Sequence, residues 1–180
     1  NLSNTGSGTG TFTCKVLPSG SEEACAAEYE EGKEVEVLNT PASGSHFVGR
    51  GGDCTGSGSC VVTMGAAKSV SAQNDLDEET FSVNQTGNGT VSCEDNASPA
   101  SCSGPFLNGH TIKVTATPEA GWDLGSLTGT GSASGNCTGS VCEFQIAEGS
   151  GVNVTFTQGE ETFAVNQTGN GTVVCEDNAS

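Results

Sequence analysis

The sequence predicts an all-β fold built from tandem, small, disulfide-stapled modules of about 80 residues, sandwich-like or barrel-like. Three observations carry this expectation. Short β-branched stretches recur between turn residues, a series of landmarks repeats at nearly constant spacing, and eight of the nine cysteines fall into two equivalent sets of four.

The strand signal is local. Glu34–Leu38 (EVEVL), Cys60–Met64 (CVVTM), Thr111–Thr115 (TIKVT) and Val152–Thr157 (VNVTFT) are short, rich in β-branched residues and mostly alternating. Gly, Asn, Ser and Pro clusters separate them, among them Thr86-Gly-Asn-Gly89 and Ser103-Gly-Pro105. Gly-Asn-Gly marks a tight reversal with positive φ. Each unit is expected to hold roughly five to seven strands, as small sandwiches and barrels do. Ser21–Gly32 (SEEACAAEYEEG) reads either as a helical turn or as an acid-rich loop entering a strand.

The repeat is clearest late in the chain. Glu78–Ser98 and Glu160–Ser180 agree at 19 of 21 positions, differing only at Ser82/Ala164 and Ser92/Val174. Gly10-Thr-Phe-Thr-Cys14 aligns with Gly89-Thr-Val-Ser-Cys93 and Gly171-Thr-Val-Val-Cys175, at offsets of 79 and 82 residues. Tyr29-Glu-Glu-Gly32 followed by Val35, Val37 and Thr40-Pro41 answers Phe106-Leu-Asn-Gly109 followed by Ile112, Val114 and Thr117-Pro118. The expected division is 1–79 for the first repeat, 80–161 for the second and 162–180 for the opening strands of a third. The chain is read as a window on a longer array. It starts at Asn1 without Met, a basic segment or an apolar run, so a secretion signal is expected to be removed or to lie upstream.

Composition narrows the function classes. Hydrophobic residues are 33% and aromatics 5% of the chain, which favours small cores over one large interior. Twenty-two acids against five bases give a net charge of −17, unsuited to nucleic-acid phosphates or anionic lipid. No apolar run approaches the roughly 20 residues of a membrane-spanning helix. Nine cysteines point to an oxidising compartment, secreted or at the cell surface.

Four cysteines per unit permit three pairings, and the economical one joins neighbours: Cys14–Cys25, Cys54–Cys60, Cys93–Cys102 and Cys137–Cys142. Cys175 occupies the first slot of the third copy, with its partner expected beyond the chain end. A loop of this size stabilises by about 2–3 kcal/mol in the loop-entropy treatment. The rival is a zinc site in each unit, but only the Cys137 pair has knuckle spacing and neither set carries a positioned histidine.

Other candidate sites are weaker. His46 and His110 fall at non-equivalent places and adjoin no repeated nucleophile, so no catalytic group is expected. Asp75, Asp77, Glu78 and Glu79 at the first junction, with Glu94 and Asp95, are candidate calcium ligands, although they lack the spacing of a known calcium loop. The alternative is a solvated acidic linker. Asn-x-Ser/Thr triplets offer glycosylation candidates at Asn84, Asn88, Asn96, Asn166 and Asn170, the first two returning as the last two. Tyr29, Phe47, Phe106 and Phe144 are expected in the core; Trp122, without a counterpart in the first copy, is the one to watch for carbohydrate.

The shared order of elements resembles the divergent InlB-type B-repeats of bacterial surface and secreted proteins. It runs Gly-x-Gly-Thr-(Val/Phe), two Cys, Tyr/Phe-x-x-Gly, (Val/Ile)-x-Val, Thr-Pro-x-x-Gly and a late Cys pair. Gly121-Trp122 keeps the family's Gly-Trp, whereas the first copy has Gly44-Ser45. The resemblance implies a small all-β module serving as spacer, stalk or adhesive repeat, with no catalytic residues.

The expected function is structural: a building block of an extracellular filament or stalk, without catalysis. The alternative is an adhesin module that recognises a glycan or a host or partner-cell protein. Partners are expected to be neighbouring copies arranged head to tail, with a glycan as a further candidate, and no nucleic acid or membrane insertion. No cofactor is expected apart from the calcium candidate. Thr80, Phe81, Ser82, Val83, Asn84 and Gln85 (TFSVNQ) form the candidate strand with which one unit completes the sheet of the next.

Overall fold

A computed structural model describes residues 1–160 and 164–175. Alternation of apolar and polar residues folds the first repeat into seven strands: β1 (Leu2–Thr5), β2 (Gly10–Val16), β3 (Glu23–Ala24), β4 (Glu34–Pro41), β5 (Ser45–Gly52), β6 (Cys60–Thr63) and β7 (Val70–Leu76). β8 (Glu78–Glu79) lies in the linker. The second repeat holds β9 (Ser82–Thr86), β10 (Gly89–Asp95), β11 (Ser98–Ala100), β12 (Phe106–Leu107), β13 (Thr111–Pro118), β14 (Trp122–Thr130), β15 (Cys137–Thr138), β16 (Val141–Gln145) and β17 (Gly151–Gln158). Among the described residues there is no α-helix, and only a short 3-10 turn at Gly131–Ala133. Ser21–Gly32 is an acidic loop carrying β3.

Each repeat packs two sheets around one core. In the first, β1-β7-β5 faces β3-β2-β4-β6; in the second, β14-β17-β9 faces β11-β10-β13-β16-β15. The opening strand of each repeat lies parallel to its closing strand, β1 on β7 and β9 on β17, while the other ladders are antiparallel. A parallel first–last pair closes the module on itself, so both chain ends of a repeat sit in one sheet. The alternation seen in the sequence is the inside–outside alternation of the strands: Val35 and Val37 of β4, and Ile112, Val114 and Ala116 of β13, are buried.

The two cores differ in content. The second holds Phe81, Phe106 and Phe144, with Phe81 5.4 Å from Phe106 and 5.9 Å from Phe144 between ring centres. The first has Tyr29 in the place of Phe106 and Val62 in the place of Phe144, and relies on Cys14, Cys54 and Cys60 for much of its interior. It also buries Asn74 completely where the second repeat has Phe156.

Two expectations are corrected. Thr80–Gln85 does not complete another unit's sheet: Ser82–Thr86 pairs with β17 of its own repeat, from Ser82↔Gly151 to Thr86↔Thr155, and Phe81 enters its own core. Covering β17 within the chain satisfies that edge locally, without a donor from elsewhere. Residues 164–175, expected as opening strands of a third repeat, form no strand. This sequence contains no third equivalents of β13 and β17 for them to pair with, and a single unpaired hairpin is marginal in water. The turn within this segment forms regardless. Gln167 Nε2 donates to the Gly171 carbonyl at 2.6 Å, as Gln85 Nε2 donates to that of Gly89 at 2.9 Å. The calls on Glu160–Phe163 and Cys175–Ser180 fall partly outside the described residues.

Candidate functional site

Four bridges staple the modules: Cys14–Cys25, Cys54–Cys60, Cys93–Cys102 and Cys137–Cys142, closing separations of 11, 6, 9 and 5 residues. Cys14, Cys60, Cys93 and Cys142 sit on β2, β6, β10 and β16 and are almost fully buried. Three bridges therefore tie a core position to a loop and the fourth ties Cys142 to Cys137 on the short strand β15, so the sulfur is part of the interior rather than an external clip. Cys175 is unbridged and exposed.

The loop closed by Cys54–Cys60 is held from both sides. Arg50 donates through its backbone N–H to the Gly56 carbonyl at 2.8 Å and through its guanidinium to the Gly58 carbonyl at 2.5 Å, while its head stacks over Phe47 at 4.7 Å. Asp53 exchanges backbone and side-chain bonds with Ser69: its N–H donates to the Ser69 carbonyl at 2.7 Å and its carboxylate accepts the Ser69 N–H at 2.6 Å. That Ser69 N–H, helped by the charge of Lys68, holds the Asp53 carboxyl below the ordinary carboxylate range against a smaller opposing effect of burial.

The linker is hydrogen-bonded on both flanks. Asp77 N–H donates to the Gly44 carbonyl of the first repeat at 2.9 Å, and Asn108 N–H of the second donates to the Asp77 carbonyl at 2.8 Å. β8 pairs with β12, Glu79 opposite Phe106 and Glu78 opposite Leu107, and Asn108 Nδ2 donates to Glu79 Oε1 at 2.9 Å. His46 Nδ1 and Asp77 Oδ1 lie 2.9 Å apart across the same junction. Gly44, at φ 74°, lies under Asn108, and a Cβ there would collide with the Asn108 side chain. The first half of this arrangement recurs at the end of the second repeat, where Gly159 N–H donates to the Gly121 carbonyl at 2.8 Å.

The acids proposed for calcium are dispersed among separate partners. Asp75 accepts from the Ser7 N–H at 3.2 Å and Gln73 Nε2 at 3.1 Å, Glu94 pairs with Lys113 Nζ at 3.2 Å, and Asp95 with His110 Nδ1 at 2.8 Å. Glu78 and Glu79 run along β8, where side chains alternate between faces. Among the described residues no three His, Cys, Asp or Glu side chains gather as a metal-holding group. The two histidines thus serve as partners of Asp77 and Asp95 at separate places.

The glycosylation candidates differ in accessibility. Asn88 projects from the exposed turn between β9 and β10, and Asn166 and Asn170 are exposed outside any strand. Asn84 Nδ2, the atom that would carry a sugar, donates to Asn153 Oδ1 at 3.0 Å. Asn96 occupies the β10–β11 turn at φ 46° and its Oδ1 accepts the Thr111 N–H at 3.0 Å. Trp122 is half-buried against the second core, and Tyr29 against the first. Asn108 and Gly44, whose surroundings form the junction, stand inside landmark motifs of the repeat. Their motifs mark turns, and nothing local to them signals the contact between modules.

Taken together, the fold and its staples define a tandem array of cystine-clamped β-sandwich modules. The sequence matches the divergent InlB B-repeat domain over residues 3–76 and 80–160, one match per sandwich, and the chain belongs to that family. No curated protein and no solved structure matches it. Disulfide-rich β repeats of this kind are typical of extracellular proteins. No helix among the described residues is long and apolar enough to cross a membrane.

Proposed function

We propose that this chain is a stretch of an extracellular structural array, a filament or stalk in which modules follow head to tail and no catalytic step takes place. The observation that carries the reading is the linker: bonded to Gly44 on one side and to Asn108 and β12 on the other, it fixes the spacing of two modules instead of leaving them on a flexible tether. The return of the first of these bonds at Gly121 and Gly159 supports one interface reused along an array. Load enters each module through its closing strand and leaves through its opening strand. These two are hydrogen-bonded side by side in one sheet, while the cystines limit how far the loops extend. The acidic surface disfavours random clumping between arrays.

Electron microscopy of a polypeptide carrying several such modules tests the proposal. Straight rods with a uniform axial repeat are expected. Beads on a freely bending string would refute the fixed spacing.

A further inference from the structure

The first repeat contains a mainly apolar pocket of about 180 Å³ between its sheets, open on one side and bordered by Asn1, Leu2, Tyr29, Val62, Met64 and the Cys14–Cys25 bridge. Its origin follows from the register of the two repeats. Leu2 pairs with Val70 as Val83 pairs with Val152, and Asn4 Nδ2 donates to the Gly10 carbonyl at 2.7 Å as Gln85 Nε2 does to that of Gly89 at 2.9 Å. Asn1 therefore stands where Ser82 stands, and the place of Phe81 falls one residue ahead of Asn1.

In the second repeat Phe81 is buried against Phe106 and Phe144. Their counterparts Tyr29 and Val62 both face the pocket of the first repeat. The space left is that of a missing aromatic ring: a cavity of ~150 Å³ suffices for a benzene-sized group. A ring there would pack on Tyr29 and Val62 as Phe81 packs on Phe106 and Phe144.

We propose that the pocket is the seat of a phenylalanine ring carried on an extended segment of the type Glu-Glu-Thr-Phe entering directly ahead of Asn1, as Glu78-Glu-Thr-Phe81 enters ahead of Ser82. The linker then contributes the first core residue of the module it precedes, and joining and folding are coupled.

The test is made on the full chain with Glu-Glu-Thr-Phe or Glu-Glu-Thr-Ala fused ahead of Asn1. The Phe version is expected to raise the melting midpoint of the first repeat by about 5 °C over the Ala version. It is also expected to place ring contacts on Tyr29 and on the Val62 methyls in nuclear Overhauser spectra. Val62→Phe, which fills the space from the other side, is expected to abolish that difference. Equal midpoints with no ring contacts would overturn the proposal. So would benzene shifting the Val62 methyls while the fused Phe does not, since the pocket would then be a small-molecule site.

Discussion

Cystine sulfur does the work of aliphatic side chains at Cys14, Cys60, Cys93 and Cys142, so removing a bridge both frees a loop and opens the core. Replacing Cys93 and Cys102 together by Ala is expected to cost roughly 2–4 kcal/mol in urea unfolding of the second repeat. An unchanged midpoint would show the bridge to be ornamental. Two asparagines run the other way. Asn39 and Asn74 bury carbonyl oxygens without a partner, where the second repeat has Ala116 and Phe156. Orphaned acceptors of this kind are destabilising, and replacing them with apolar groups relieves the penalty. The same side chains donate through Nδ2 to Asn4 Oδ1, at 3.4 Å from Asn39 and 2.9 Å from Asn74, so the gain from removing the orphaned oxygens is offset by the loss of those bonds. Asp53 sets a pH dependence. Because the Ser69 N–H lowers its folded-state pKa, its contribution is complete above the unfolded carboxylate value near ~4 and is lost as the pH falls through the lower folded value. In a series of unfolding curves from pH 6 to pH 2, Asp53→Asn should flatten the acid-side decline of the first repeat.

Strands and turns respond to different information. The Gln167 turn closes as the Gln85 turn does, yet residues 164–175 stay outside any sheet. Turn chemistry is local, and a ladder needs a partner strand. Appending a third set of equivalents of residues 99–158 after Ser180 should bring 164–175 into strands, with amide exchange slowed to the level of Ser82–Asp95. Exchange that stays fast would contradict this. The same distinction sets what was legible in the sequence. Glu34–Leu38, Cys60–Met64, Thr111–Thr115 and Val152–Thr157 could be read from alternation, and the neighbour pairing of cysteines from spacing, because both are short-range. The parallel pairing of β9 with β17 could not, since it joins residues 69 apart and turns on which edge is free. The acidic cluster at the junction suggested shared ligands. In the fold, Asp75, Asp77 and Glu79 each meet a different donor.

At the scale of the whole molecule the account depends on two couplings, within modules through sulfur and between them through the linker. Gly44→Val places a branched side chain at positive φ and against Asn108, so the junction should open while both cores persist. Nuclear relaxation should then give two modules tumbling independently in the variant and as one body in the parent chain; independent tumbling of the parent would contradict a fixed spacing. The more fundamental coupling is covalent. Alkylating the natively purified protein without reductant, then mapping its peptides by mass, tests it most directly. Cys175 alone should be labelled, with peptides linked as Cys14–Cys25, Cys54–Cys60, Cys93–Cys102 and Cys137–Cys142. Labelling of those eight cysteines in the folded protein would contradict the account.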